Sequence, residues 1–127
     1  MTLNVGDQIS EVSAPNQKGE TMTLSFSDPT VVYFYPRDDT PGCTTEAVQF
    51  NESLSQYEAI GAEVYGVSMD SVDSHSSFCN KYDLELNLLA DPEGIVATHF
   101  GFDISDGKPA RTTFIISNGS IQAVYNN

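Results

Sequence analysis

Hydrophobic positions fall in short blocks along the chain, and their spacing alternates between strand-like and helix-like. Val31-Val32-Tyr33-Phe34-Tyr35 is an unbroken β-branched and aromatic run, the pattern of a strand buried on both faces, and Pro36 stops it. Ala47, Phe50, Leu54 and Tyr57 then recur at spacings of three, four and three, which predicts one helix from Cys43 to about Ile60 with Gly61 as its C-cap. Val64 to Ser68 reads as a second buried strand. A helix follows from about Ser71 to Tyr82, with His75, Phe78, Cys79 and Tyr82 on one side. Leu86 to Ala90 is a short apolar stretch closed by Asp91-Pro92, and Ile95 to Phe100 one more short helix. Gly101 to Pro109 has loop composition and no periodicity. Thr112 to Ile116 is a third strand, turned by Ser117-Asn118-Gly119 into an antiparallel partner, Ile121 to Tyr125. Ahead of the central strand, residues 2–26 read as short irregular strands around a turn at Asn16-Gln17-Lys18-Gly19. Met22, Leu24 and Phe26 alternate there as one face, and Ser27-Asp28-Pro29 is the connecting loop.

Strand, helix, strand, helix and a final hairpin predict an α/β fold with a central mixed sheet flanked by helices. The thioredoxin-like arrangement is the commonest small fold of that order. A length of 127 residues suits one domain over 1–127. No apolar run has the length of a membrane span or the setting of a secretory leader, so a soluble, cytoplasmic protein is expected. Eighteen acidic against five basic residues give a net charge of -13, which repels phosphate backbones and anionic lipid and so argues against nucleic-acid or membrane partners. Such acidity fits either a protein held in high salt or a merely acidic one; in the first case stability falls as salt is removed. Two cysteines, 36 positions apart, make neither a disulfide framework nor a metal spacing and suggest redox or catalytic use in a reducing compartment.

Cys43 is the candidate. Thr40 reads as an N-cap and Pro41 as the first helical residue, which puts Cys43 in the first helical turn. Unpaired backbone N–H groups and the positive end of the macrodipole there favour a thiolate. Gly42 lets another group approach the backbone beside the sulfur. The chain has two arginines: Arg37 lies in the loop before Cys43, and Arg111 opens the strand expected beside the central one. Scarce guanidinium groups placed this way suggest anion holding, with an exposed ion pair as the alternative for Arg37. A lone cysteine is otherwise a small buried hydrophobe. His75 and Cys79, four apart, have the spacing of half a metal site or of a base beside a thiol, against an ordinary partly exposed histidine, and His99 reads the same way. Asp38-Asp39 and Asp103 to Asp106 read as solvated loop charges.

Pro36-Arg-Asp-Asp-Thr40-Pro-Gly-Cys43-Thr-Thr-Glu46 resembles the peroxidatic motif of peroxiredoxins, and its Thr-Pro-Gly-Cys-Thr form is similar to the peroxiredoxin Q subfamily, also called bacterioferritin comigratory proteins. The resemblance continues through Val5-Gly6-Asp7, Gly66 to Asp70, Phe78 to Tyr82, Leu88 to Asp91 and Arg111-x-Thr113-Phe114. It implies a thiol peroxidase with no metal or organic cofactor. Cys43 would attack a peroxide oxygen, with Thr40 and the Cys43 amide binding the peroxide. Arg111 would stabilise the thiolate and the transition state, Glu46 would orient Arg111, and Pro36 would shield the pocket. For Glu46, complementation of the helix dipole is a second reading. Many subfamily members carry a resolving cysteine five residues after the first, where this chain has Val48. Cys79 matches the alternative position on the later helix, so the resemblance implies an intramolecular Cys43–Cys79 disulfide reduced by a thioredoxin-like protein. Core filling by Cys79 and resolution by an external thiol is the other reading.

Bridging cysteines on separate helices needs Cα atoms within about 7 Å, so local unwinding on oxidation is expected. Tyr33, Phe34 and Tyr35 are candidates to line an apolar approach. A disulfide oxidoreductase would need Cys-x-x-Cys, which is absent; a cysteine hydrolase has no oriented histidine; a peroxide-responsive sensor without turnover is the non-enzymatic rival. Family members usually continue into a C-terminal helix, whereas this sequence ends at Asn127, so a shortened chain or a second copy over that sheet face is expected, with a monomer favoured.

Overall fold

The structure is a computed structural model and describes residues 2–126. Met1 and Asn127, the ends of the expected 1–127 domain, lie outside the described residues. A hairpin of β1 (Val12–Pro15) and β2 (Thr21–Leu24) comes first, paired antiparallel across the expected Asn16–Gly19 turn. Then come β3 (Thr30–Phe34), α1 (Pro41–Glu52), α2 (Leu54–Ala59), β4 (Glu63–Ser68), α3 (Val72–Tyr82), β5 (Asn87–Ala90), α4 (Ile95–His99), β6 (Thr112–Ser117) and β7 (Ser120–Asn126). Five strands form one mixed sheet in the order β5-β4-β3-β6-β7. β3 pairs parallel with β4 and antiparallel with β6, so it lies in the middle and every residue of it is buried. Helices flank this mixed sheet, the α/β arrangement that the strand and helix order predicts.

Alternation along β3 divides the interior in two. Val32 and Phe34 face one side, where the hairpin and α4 contribute Ala14, Leu24, Val96 and Ala97, and Phe100 packs against Phe34 and Phe114. Val31, Tyr33 and Tyr35 face the other, where α1 and α3 contribute Cys43, Ala47, Phe78 and Cys79. Both cysteines therefore occupy one core layer on two different helices. On β6 and β7, half-buried Ile115 and Ala123 and the 55% exposed Tyr125 mark the least covered part of the sheet.

Two boundaries differ from the sequence reading. The expected single helix from Cys43 to about Ile60 is two helices broken at Ser53, whose N–H is shared between the carbonyls of Gln49 and Phe50 at 3.2 Å each. Such a shared bond tightens the last turn and ends the regular ladder, while Phe50, Leu54 and Tyr57 still dock on the same core. Gly61 does close the pair, at φ +76°. The expected structureless loop from Gly101 to Pro109 contains a 3-10 turn at Ile104–Asp106. Asp103 caps it by accepting from Ser105 N at 3.0 Å, and Ile104 packs onto the core.

Candidate active site

The expected site residues converge where β3 ends. Register sets Thr112 opposite Phe34, which places Arg111 beside the exit of the central strand, where the chain turns towards α1. Pro41, Gly42 and Cys43 are the first three residues of that helix, as expected. The first helical bond of this turn runs from Thr44 N to Thr40 O, so the amides of Gly42 and Cys43 lie ahead of the ladder. Arg111 holds two partners at once: Nη2 donates to Cys43 Sγ at 3.2 Å and Nη1 donates to Glu46 Oε1 at 2.7 Å. Burial would weaken the charge on Arg111, but its contacts with Cys43 and Glu46 prevail and hold its pKa above the ordinary value. At Glu46, burial outweighs the guanidinium and lifts the carboxyl above its usual value. Glu46 lies beyond the first turn of α1, which holds no acidic residue, so the dipole reading gives way to the ion pair.

Gly42 has the role read for it. A Cβ there would stand 3.2 Å from Arg111 Nη2, so any larger residue would press on the guanidinium. Thr40 occupies the N-cap position, but its hydroxyl makes no cap and donates to the Arg37 carbonyl at 3.1 Å. Pro36 is half-buried and Cys43 is 1% exposed.

The loop before Thr40 corrects the reading of Asp38-Asp39 as solvated charges. Asp38 is buried: its carboxylate meets His75 Nδ1 at 2.7 Å and accepts from Tyr35 Oη at 2.6 Å and Ser74 Oγ at 2.8 Å. His75, expected to be partly exposed, is fully buried, and its Nε2 meets the Leu89 carbonyl at 2.9 Å. Both ring nitrogens thus face oxygen atoms inside the core and are taken up there. Neither nitrogen is left to take a proton from Cys79, so the base reading fails. Asp70 completes the cluster; its Oδ2 accepts from Asp38 N at 2.8 Å and Ser68 Oγ at 2.7 Å. Asp38, Asp70 and His75 have donor atoms close enough for a metal, but these atoms are spent on one another and on backbone and hydroxyl donors.

Asp39 stays exposed, at φ +56°, and accepts from Lys81 Nζ at 2.8 Å and Tyr82 Oη at 2.6 Å. The dipeptide ahead of Thr40 therefore grips α3 at two points, either side of Cys79. No sequence signal foretold this, because the partners lie 36 to 43 positions apart.

Cys79 is a free, buried thiol, as is Cys43. Burial, then the charge of Asp38, pushes the Cys79 thiol up to about 11. Tyr33, Phe34 and Tyr35 do not line an approach: all three are at most 1% exposed, because both faces of β3 are covered. Arg37 is exposed and has no ion-pair partner among the described residues, contrary to the ion pair expected for it. His99 is half-buried, its Nε2 meeting the Ser10 carbonyl at 2.7 Å.

Residues 5–124 match the model of the AhpC/TSA family. A chloroplastic peroxiredoxin Q of Sedum lineare is 43% identical over 117 residues, covering 88% of this chain and 63% of that protein. The chain thus spans less than two thirds of the plant relatives it matches. A crystal structure of peroxiredoxin Q from Xylella fastidiosa, a cysteine-to-serine mutant, superposes with a TM-score of 0.90 at 33% identity, covering 99% of this chain and 87% of that one. The bacterioferritin comigratory protein of Xanthomonas campestris, whose structures concern its alkyl peroxide reduction activity, superposes at 0.83 and 30% identity, covering 94% and 87% of the two chains. Among the described residues no helix is long and apolar enough to cross a membrane.

Proposed function

The chain belongs to the AhpC/TSA family, with peroxiredoxin Q proteins among its homologues, and from that premise we propose that it is a thiol peroxidase that reduces hydrogen peroxide and small alkyl hydroperoxides. The observation that carries this reading is the fork of Arg111, which reaches both Cys43 Sγ and Glu46. The Cys43 thiolate attacks one peroxide oxygen, the S–O bond forms, and the O–O bond breaks with loss of hydroxide or alkoxide. Charge moves from sulfur to the leaving oxygen. The first-turn amide of Cys43, the Arg111 guanidinium and the Thr40 hydroxyl are the donors at hand, once Thr40 turns from the Arg37 carbonyl. Glu46 is a positioning residue that fixes the guanidinium plane, and half-buried Pro36 limits water.

Cys79 then condenses with the Cys43 sulfenic acid. Burial in the folded helix pushes its thiol up to about 11, so unwinding around Cys79 raises the thiolate fraction at neutral pH. The C-terminal turn of α3 is the part able to unwind. Its clamps to Asp39 are exposed, whereas the N-terminal half is held by the buried Asp38–His75 pair. A thioredoxin-type dithiol regenerates both thiols, in a reducing compartment such as the cytoplasm.

Steady-state assay tests the reading. Peroxide consumption is expected to require a dithiol reductant and to saturate with thioredoxin. Oxidation of Cys43 without turnover under any dithiol would point to the sensor instead.

A further inference from the structure

Cys79 lies in the last turn of α3, and that turn is finished without a glycine. Asp83 takes the left-handed backbone at φ +53°, and the N–H groups of Asp83 and Leu84 both end on the Cys79 carbonyl, the latter at 2.9 Å. An aspartate lacks the freedom of glycine there, and its carboxylate stands at the negative end of the helix dipole. The turn that has to open for Cys79 to move is thus weakly closed by its own backbone. Among the described residues two side chains from outside α3 tie it down. Asn51 of α1 donates to the Asp83 carbonyl at only 3.4 Å, and it fixes the segment beyond by accepting from Glu85 N at 2.6 Å and Leu86 N at 3.1 Å. Asp39 holds the turn itself, through Lys81 Nζ at 2.8 Å and Tyr82 Oη at 2.6 Å. The lysine pair is exposed and adds little. The tyrosine bond is the stronger of the two: it joins a carboxylate to a hydroxyl on a ring that packs edge-on against Phe78, with centroids 5.5 Å apart. Tyr82 follows Cys79 on one helix, and Asp39 directly precedes Thr40 in the loop leading to Cys43.

Within the peroxidase reading above, on which this rests, we infer that Asp39 is a positioning residue that latches the Cys79 turn, and that release of its bond to Tyr82 sets the rate at which Cys79 reaches oxidised Cys43. The turn opens and recloses in either redox state, and only a sulfenic acid at Cys43 captures the open form. The Cys79 thiolate then attacks the Cys43 sulfur. The S–S bond forms, the S–O bond breaks, and the departing hydroxide leaves as water with the proton that Cys79 has shed. No further oxidant is needed, because the peroxide has already taken the two electrons. A tight latch prolongs the sulfenic acid and leaves it open to a second peroxide; a loose one shortens its life.

Tyr82→Phe keeps the ring and removes the bond. Reduced protein is mixed with one equivalent of hydrogen peroxide, acid-quenched over a time series and weighed intact. The variant is expected to form the sulfenic acid at the wild-type rate and to close the disulfide about fivefold faster, the scale of one exposed hydrogen bond to a charged group. Asp39→Gly, which suits the left-handed backbone at φ +56°, should quicken closure at least as much. Adding Tyr82→Phe to Asp39→Gly should then change nothing further, because the bond is already gone. Hydrogen exchange of the reduced protein reads the latch without peroxide: the Asp83 and Leu84 amides should exchange about fivefold faster in Tyr82→Phe. Equal closure rates, or unchanged exchange of these amides, would overturn the inference. So would an acceleration by Tyr82→Phe that persists in the Asp39→Gly background, because Tyr82 would then act through packing alone. A wild-type protein that takes up no oxygen from peroxide would overturn the peroxidase reading and the role of the latch with it, an outcome distinct from the others because exchange in the reduced protein does not depend on peroxide.

Discussion

Arg111→Gln is expected to lower the second-order rate constant of Cys43 with hydrogen peroxide by about a hundredfold to a thousandfold, the usual effect of removing one preorganised donor from a buried site. The guanidinium makes two bonds at 2.7 and 3.2 Å, to a carboxylate and to the sulfur, and supplies the only positive side chain found at Cys43 among the described residues. Glutamine keeps one amide donor and loses the charge and the fork. Lysine keeps the charge but offers a single point donor that cannot span Glu46 and Cys43, so Arg111→Lys should recover only part of the loss. Stopped-flow oxidation of the reduced variants measures this directly. A rate within threefold of wild type for Arg111→Gln would remove Arg111 from the machinery.

The second large effect falls on stability. Asp38→Ala is expected to destabilise the reduced fold by about 3–5 kcal/mol, because it leaves the buried His75 ring and the Tyr35 and Ser74 hydroxyls without their shared acceptor. Burial alone would raise the Asp38 carboxyl, but the hydrogen bond and charge of His75, then the bonds from Tyr35 and Ser74, outweigh it and hold the pKa below the usual carboxylate value. The folded state therefore releases this proton more readily than the unfolded chain. The contribution is complete above about pH 4 and is lost as the pH falls through the lowered folded value. Urea unfolding from pH 7 down to pH 3 should show the wild-type advantage over Asp38→Asn shrinking only at the acid end. An advantage that stays constant to pH 3, or a loss of under 1 kcal/mol in Asp38→Ala at pH 7, would contradict the buried pair.

Much of this architecture was legible because it is written locally. The β3 run, the α3 face and the closing hairpin follow from spacing within a few residues, and the first turn carrying Cys43 follows from Thr40-Pro41-Gly42. The family resemblance marked Arg111 and Glu46, and the fold brings both to Cys43. What stayed hidden depends on partners far along the chain. Asp38 and Asp39 have the same local look, yet one turns inward to His75 and the other outward to Lys81. The left-handed backbone at Asp39 separates their directions, and nothing in the residue types announces it. The break at Ser53 left the apolar spacing intact and so left no trace in the pattern.

In the proposed cycle peroxide oxidises Cys43 and Cys79 resolves it within the same chain. The most direct measurement is the intact mass of fully reduced protein after one equivalent of hydrogen peroxide and rapid acid quench. A loss of about two mass units is expected, the signature of a Cys43–Cys79 disulfide. A persistent gain of about sixteen or thirty-two would show that Cys79 does not resolve Cys43, and an unchanged mass would contradict the peroxidase reading itself.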